Sequence, residues 1–307
     1  MKTILVTGAT GFFGSSLLKA FQSVDGDYKI VCVYYQDKGS STDSRISWIE
    51  QDLLDVSKHE KLLHDVQPTH FVHLAWHVLP QHFWHSLKNV EWLYASISLF
   101  DQFCSVGGKV FMGAGTLAEY DWSYDVFDEE KTPLRPHTLY GQSKKSLFEL
   151  IQQIRNKKSS DTILLWPRIG YFFGENEPVE KLLSRLVVSI KEEKPLNIMS
   201  RETARPYAHV KYVGEALVKI LFCATQDEIF NVSLSRPYSL EEIVTIVSEE
   251  IKKPAITIFY GGYVPPVSEP KVLRVSMDRV HQLSGDVVKD TFCEDLKKFV
   301  RSFDGKI

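Results

Sequence analysis

Lys2-Thr3-Ile4-Leu5-Val6-Thr7-Gly8-Ala9-Thr10-Gly11-Phe12-Phe13-Gly14 opens the chain with an apolar run that breaks into three glycines. The run at 2–7 is short, β-branched and bounded by glycine, as a buried strand is. Residues 13–23 then place Phe13, Leu17, Leu18 and Phe21 at helical spacing. A glycine loop between a strand and a helix has a physical use. Gly8 permits the tight turn, Gly11 lets backbone approach a pyrophosphate, and Gly14 lets the helix lie close to the strand. The first turn of the helix presents free N–H groups to the anion. The stretch therefore predicts dinucleotide binding, with Gly8, Thr10, Gly11, Phe12, Phe13 and Gly14 around the phosphates.

Outward from this loop, apolar runs and amphipathic stretches alternate. Strands are expected at 30–35, 47–51, 71–75, 109–113 and 162–169. Helices are expected at 56–66, 82–104 and 140–157, with Pro68 stopping the first of these. This alternation implies βαβ units around a parallel sheet. Strands that are apolar almost throughout fit a sheet covered on both faces. Beyond Gly174 the strands shorten to 196–198, 228–232 and 255–260, between helices at 179–192, 213–224, 240–251 and 294–303. The expected fold is α/β: a doubly wound parallel sheet over 1–170, joined by later returning segments, with a smaller discontinuous substrate lobe over 171–307. Pro265-Pro266 and Pro270 mark loops.

The bulk numbers exclude several classes. A net charge of −3 argues against nucleic acid as a partner. No apolar run approaches the roughly 20 residues that span a bilayer, and no signal-peptide pattern opens the chain. Cys32, Cys104, Cys223 and Cys293 are widely separated, without a C-x-x-C pair, and read as buried thiols of a reducing compartment. A cytoplasmic protein without a metal is expected.

Tyr140-Gly141-Gln142-Ser143-Lys144 puts a tyrosine and a lysine on one face at the start of a helix. A phenol with a pKa near 10 is a poor acid–base group at neutral pH. A nearby ammonium lowers that pKa, so the phenol can exchange a proton with a carbinol oxygen. Thr116, after the fifth strand, supplies a hydroxyl for the same oxygen. Asn89, on the helix between, reads as a plain helix-surface residue, or resembles the asparagine with which some members of a known enzyme family order a proton-relay water. Trp76, His77, Trp84 and His85 read as an aromatic loop packed over the site mouth.

These motifs together resemble the extended, sugar-nucleotide branch of the short-chain dehydrogenase/reductase family, over nearly the whole chain. The resemblance implies a Rossmann-type fold and a catalytic triad of Thr116, Tyr140 and Lys144. It further implies that Asp52-Leu53 contacts the adenine and that Leu74-Ala75 lies along the cofactor, with Tyr140 and Lys144 also touching it. It implies a homodimer, through pairing of the 82–104 and 140–157 helices of two chains. One landmark departs from the pattern. NAD enzymes close the second strand with an acid on the ribose, and here that place is Tyr34. NADP(H) is therefore expected over NAD(H), with Lys38 and Arg45 as candidate phosphate ligands.

Residues 167–174 and 205–210 resemble two substrate-side motifs of the same branch. By that resemblance Arg205 contacts the diphosphate of a nucleoside-diphosphate sugar, and Lys271 and Arg274 fall near a second cation position. A guanidinium suits the task through paired bonds to phosphate oxygens. The family's dehydratases carry Asp-Glu after the catalytic threonine, where this chain has Leu117 and Ala118. Its epimerase–reductases carry a cysteine there. The expected reaction is reduction of the C4 ketone of a nucleoside-diphosphate-4-keto-6-deoxy sugar, similar to the CDP-abequose and CDP-paratose synthases. The alternatives are C4 epimerisation and, without catalysis, an NADP(H)-sensing regulator or scaffold.

Overall fold

The computed structural model describes residues 1–79, 83–264, 269–285 and 287–304. Seven strands of one parallel sheet are β1 (Lys2–Thr7), β2 (Tyr28–Tyr34), β3 (Ile46–Glu50), β4 (His70–His73), β5 (Val110–Gly113), β6 (Ile163–Ile169) and β7 (Glu228–Val232). They lie in the order β3-β2-β1-β4-β5-β6-β7. The direction of winding reverses at β1, so a crevice opens between β1 and β4 at their carboxyl ends, where such folds bind ligands. The short strand Gly115–Thr116 also pairs with β6, at Arg168 and Ile169.

The strands are buried because helices cover both faces. α1 (Phe12–Gln22) and α6 (Val210–Cys223) pack together on one face. Their Leu17, Phe21, Val213 and Leu217 meet Ile4, Val6 and Ile30 in one core cluster. α2 (His59–Val66), α3 (Lys88–Ser105) and α4 (Leu139–Lys157) cover the other face. There Leu63, Phe100, Phe103 and Ile151 enclose Leu5, Phe71 and Phe111. α5 (Leu182–Glu192), α7 (Leu240–Ile251), α8 (Asp278–Ser284) and α9 (Phe292–Arg301) complete the C-terminal part.

The third long helix begins at Lys88 rather than 82. Residues 83–86 are held instead by side-chain bonds: Asn89 Nδ2 donates to the carbonyls of Phe83 (2.6 Å) and Ser86 (2.9 Å). His82, Pro265 and Pro266 lie outside the described residues. Only two of the four thiols are buried, Cys32 and Cys104; Cys223 and Cys293 are exposed at helix ends.

Candidate active site

The glycine loop has the geometry its three glycines predict. Gly8 adopts φ +73°, and a Cβ there would stand 2.7 Å from the Ala75 backbone nitrogen. A Cβ on Gly14 would stand 2.0 Å from the Gly8 carbonyl oxygen, so the helix can approach the turn only without a side chain. Gly11 differs. A Cβ there would meet the Gly8 carbonyl oxygen at 3.4 Å, an ordinary contact, so Gly11 is not required by packing within the chain. Leu74 and Ala75 pass alongside, with the Leu74 N–H donating to the Thr7 carbonyl at 3.2 Å. Thr10 is exposed at the turn. Phe12 stacks on Phe172 and Phe13 meets it tilted, with centroids 5.7 and 5.4 Å apart, and the Lys181 ammonium lies 4.9 Å from the Phe12 ring.

At the far end of the crevice, Asp52 accepts the Leu54 N–H at 2.9 Å. Buried Leu53 receives a bond on its carbonyl from His59 Nε2, also 2.9 Å. Beside them Gln51 Nε2 is buried and has no hydrogen-bond partner. A strand–glycine turn–helix whose Gly11 is not required by packing, and an unmet amide donor next to Asp52, fit a dinucleotide, whose pyrophosphate needs N–H donors and whose adenine offers acceptors.

Thr116, Tyr140 and Lys144 are brought together at the other end. Thr138 caps α4 by accepting the Gly141 N–H at 3.0 Å. A Cβ on Gly141 would stand 2.1 Å from the Ala118 carbonyl oxygen. That close approach sets Tyr140 against the Thr116 turn, with the Thr116 side chain near enough to the phenol to act on its pKa. Burial pushes the Tyr140 phenol up to about 12, against the opposing pull of the nearby Thr116 hydroxyl. Burial pulls the Lys144 ammonium down to about 7, against the opposing charge of Glu119. Lys144 Nζ donates to the Ala114 carbonyl at 2.8 Å and lies 3.8 Å from the Trp76 ring centroid.

An aromatic collar surrounds the phenol. Phe83 and Trp84 stand edge-on to the Tyr140 ring at 4.9 and 5.9 Å, Trp76 at 6.5 Å, and Trp84 meets Trp122 at 5.7 Å. The Tyr140 N–H donates to the Trp84 carbonyl at 3.0 Å, so the loop caps the helix that carries the phenol. Asn89 is wholly buried, and its oxygen accepts from Trp76 Nε1 at 2.8 Å. Both of its amide N–H groups are thus committed to protein carbonyls, and Asn89 is not a surface residue.

Sequence reasoning missed a buried network beneath Thr116. Glu119 accepts the Thr116 N–H at 2.8 Å, the Trp166 indole N–H at 3.1 Å and Arg168 Nε at 3.0 Å. Glu119 and Arg168 are 1% and 2% exposed, so their charges neutralise one another inside the protein. The lone arginine within the apolar run of β6 was the available signal. Leu117 and Ala118 carry no acid, and the Glu119 carboxylate is engaged below the site.

The substrate-side cations are arranged differently from one another. Arg205 is buried, with Nε and Nη2 donating to Glu269 Oε2 at 2.9 and 2.5 Å. Its Nη1 donates to the carbonyls of Ala204 and Lys271. Arg205 and Lys271 line one open cavity of about 270 Å³. Arg274 is not in that lining; it pairs in a short strand with Val126. Tyr34 closes β2 and donates to Glu50 Oε2 at 3.2 Å.

The NAD dependent epimerase/dehydratase family matches residues 4–233. This chain belongs to that family. It is 24% identical over 270 residues to the dTDP-4-dehydro-6-deoxyglucose reductase of Escherichia coli, spanning 83% of this chain and 84% of the relative. The UDP-glucose 4-epimerase of Thermotoga maritima, solved with UDP-glucose, superposes with a TM-score of 0.85 at 18% identity, over 99% of both chains. The UDP-glucuronic acid 4-epimerase of Bacillus cereus, solved with UDP-glucuronic acid and NAD, gives 0.84 at 20% identity, covering 99% of this chain and 100% of the other. The family is one of NAD-dependent enzymes that modify sugar nucleotides, and the Rossmann-type parallel sheet is common to these structures. Among the described residues no helix is long and apolar enough to cross a membrane.

Proposed function

We propose that the chain reduces the C4 ketone of a nucleoside-diphosphate-4-keto-6-deoxy sugar. The aromatic collar around Tyr140 carries this reading. A C4 epimerase must offer both faces of C4 to one nicotinamide, so the sugar has to turn over inside the pocket. The rings 4.9–6.5 Å from the Tyr140 ring wall the phenol with apolar surface, which is expected to hinder that turning and suits the C6 methyl of a deoxy sugar. The reductase relative in Escherichia coli supports the same choice.

Gly8, Thr10, Gly11, Phe12, Phe13 and Gly14 hold the pyrophosphate, Asp52 and Leu53 the adenine, and Tyr34 the adenosine ribose. Leu74 and Ala75 flank the nicotinamide half, which when bound supplies the hydride. Tyr140 donates its proton to the oxygen developing at C4, and Thr116 shares that oxygen. Lys144 holds the nicotinamide ribose and, when charged, makes the phenol a stronger acid. Arg205, with Lys271, takes the substrate diphosphate at their shared cavity, and Arg274 adds a more remote positive charge. For Arg205 this requires the anion to share the guanidinium with Glu269 or to displace it.

The test is a screen of reduced-nicotinamide oxidation over CDP-, GDP-, dTDP- and UDP-4-keto-6-deoxy sugars, with NMR of the product. Stoichiometric reduction at C4 is expected. Interconversion of C4 epimers without net cofactor consumption would replace this reading with the epimerase, which the fold likeness to two C4 epimerases favours. No carbonyl turnover with intact dinucleotide binding would leave the sensor or scaffold.

A further inference from the structure

In a doubly wound sheet the residue closing the second strand sets the choice of dinucleotide. A carboxylate there binds the adenosine ribose hydroxyls and disfavours a 2′-phosphate. Tyr34 occupies that place, which is why NADP(H) is the expectation from sequence. The structure supplies a carboxylate from the next strand. Thr7 of β1 pairs with Val33 of β2, and Val33 with Ile49 of β3. Gly8, Tyr34 and Glu50 therefore follow at the same level along the carboxyl edge. Tyr34 and Glu50 are register partners, so their side chains share a face. The phenol donates to Glu50 Oε2 at 3.2 Å, and Trp48, on the same face, meets the Tyr34 ring edge-on at 6.3 Å.

We propose that Glu50, held by Tyr34, takes the place of the missing second-strand acid and selects NAD(H) over NADP(H). This inference rests on the reading of the glycine loop as a dinucleotide site. The cations named against it do not hold up. Arg45 precedes Ile46, which pairs with Ile30, so it stands at the opposite end of these strands. Its guanidinium forks onto Asp43 and reaches the Val24 carbonyl and the Tyr28 hydroxyl. Lys38 is exposed and makes no ion pair among the described residues, and one flexible surface lysine is a weak phosphate ligand. Asp37 is the other nearby carboxylate. It lies beyond Gln36, which takes φ 68° and turns the chain off the strand. Glu50, in contrast, is fixed in register on the sheet.

The test titrates NADH and NADPH against the full chain by intrinsic fluorescence, with Glu50→Gln and Asp37→Asn beside the wild type. Glu50 is exposed, so its replacement leaves the fold intact. NADH should bind the wild type at least about tenfold more tightly, from repulsion of two like-charged groups near the surface. That gap should narrow with added salt. Glu50→Gln should close most of the gap by gaining NADPH affinity, whereas Asp37→Asn should leave it. Equal binding of the two by the wild type, or a gap that survives Glu50→Gln, or one that Asp37→Asn closes, would overturn the proposal while the dinucleotide site stands. Binding of neither would remove the site and the proposal together.

Discussion

Lys144 and Trp76 are held as a cation over a ring face, 3.8 Å from nitrogen to centroid, and the indole nitrogen is itself fixed by Asn89 at 2.8 Å. The contact gives a buried ammonium some of what water would, but burial still lowers its pKa to about 7 from an ordinary 10.5. Between those values the unfolded chain binds a proton that the folded chain does not. Stability of the cofactor-free protein should therefore rise with pH from about 7 toward 10.5. Denaturant unfolding at a series of pH values should show that rise, and Lys144→Met should flatten it. An equal slope in the variant would mean that another group titrates.

The same shift predicts proton uptake on cofactor binding. Ribose hydroxyls that accept from Lys144 stabilise its charged form, so binding raises its pKa. At pH 8 about one proton should enter per site bound. Calorimetry in buffers of different ionisation enthalpy measures this directly. Zero uptake, or release, would show that the ammonium does not meet the ribose.

Gly11 and Gly14 should separate binding from folding. Gly11→Ala meets nothing closer than 3.4 Å and should cost about 1 kcal/mol or less of stability. Its methyl enters the pyrophosphate space, an overpacking of about 1–3 kcal/mol, or roughly tenfold to a hundredfold in Kd. Gly14→Ala collides with backbone and should destabilise the fold itself by a similar amount or more. Thermal melts with and without dinucleotide distinguish the two. A Gly11→Ala protein that binds normally would show that the anion lies elsewhere.

Glu119→Gln should be among the most destabilising changes outside the apolar core. It leaves the Arg168 charge buried without a counter-charge, which costs about 3–5 kcal/mol. Replacing both, as Glu119→Gln with Arg168→Met, should recover part of that loss in denaturant unfolding. A double variant no better than the single would mean that the bonds to Thr116 and Trp166, rather than the charge, dominate.

Much of the fold was legible because its strands are largely apolar runs, with glycine directly after β1 and β6. The strands 2–7, 196–198 and 228–232 and the helix 240–251 have the bounds read from the sequence. Residues 83–87 were legible only in part: the aromatic loop over the site mouth was read, but so was a helix from 82. Their order comes from Asn89 and from rings that meet Tyr140, contacts that no periodicity encodes. The short helix Asp278–Ser284 was not read at all; it follows Met277 without a side-chain cap. The triad and the glycine loop were visible because their chemistry is local in sequence. Glu50 was not, because its partner Tyr34 is one strand away and register appears only when strands pair. Arg205 was read as a diphosphate ligand without its partner Glu269, since nothing in the sequence marks that pair.

α3 and α4 pack on each other and leave Val90, Tyr94 and Leu150 between 42% and 63% exposed. A homodimer formed through these helices, which we propose, would cover them. Light scattering at micromolar concentration should then give twice the chain mass of 35.2 kDa. Tyr94→Glu should shift the protein toward monomer. A monomeric wild type would reject the interface.

The central claim is that Tyr140 delivers the proton to a ketone reduced at C4. Tyr140→Phe keeps the ring in its collar and removes only the hydroxyl. The decisive measurement is the rate of reduced-nicotinamide oxidation by this variant with the best 4-keto sugar nucleotide, alongside its dinucleotide Kd. A loss of roughly 10²–10⁴-fold in turnover with the Kd unchanged is predicted. Turnover equal to the wild type would contradict the claim.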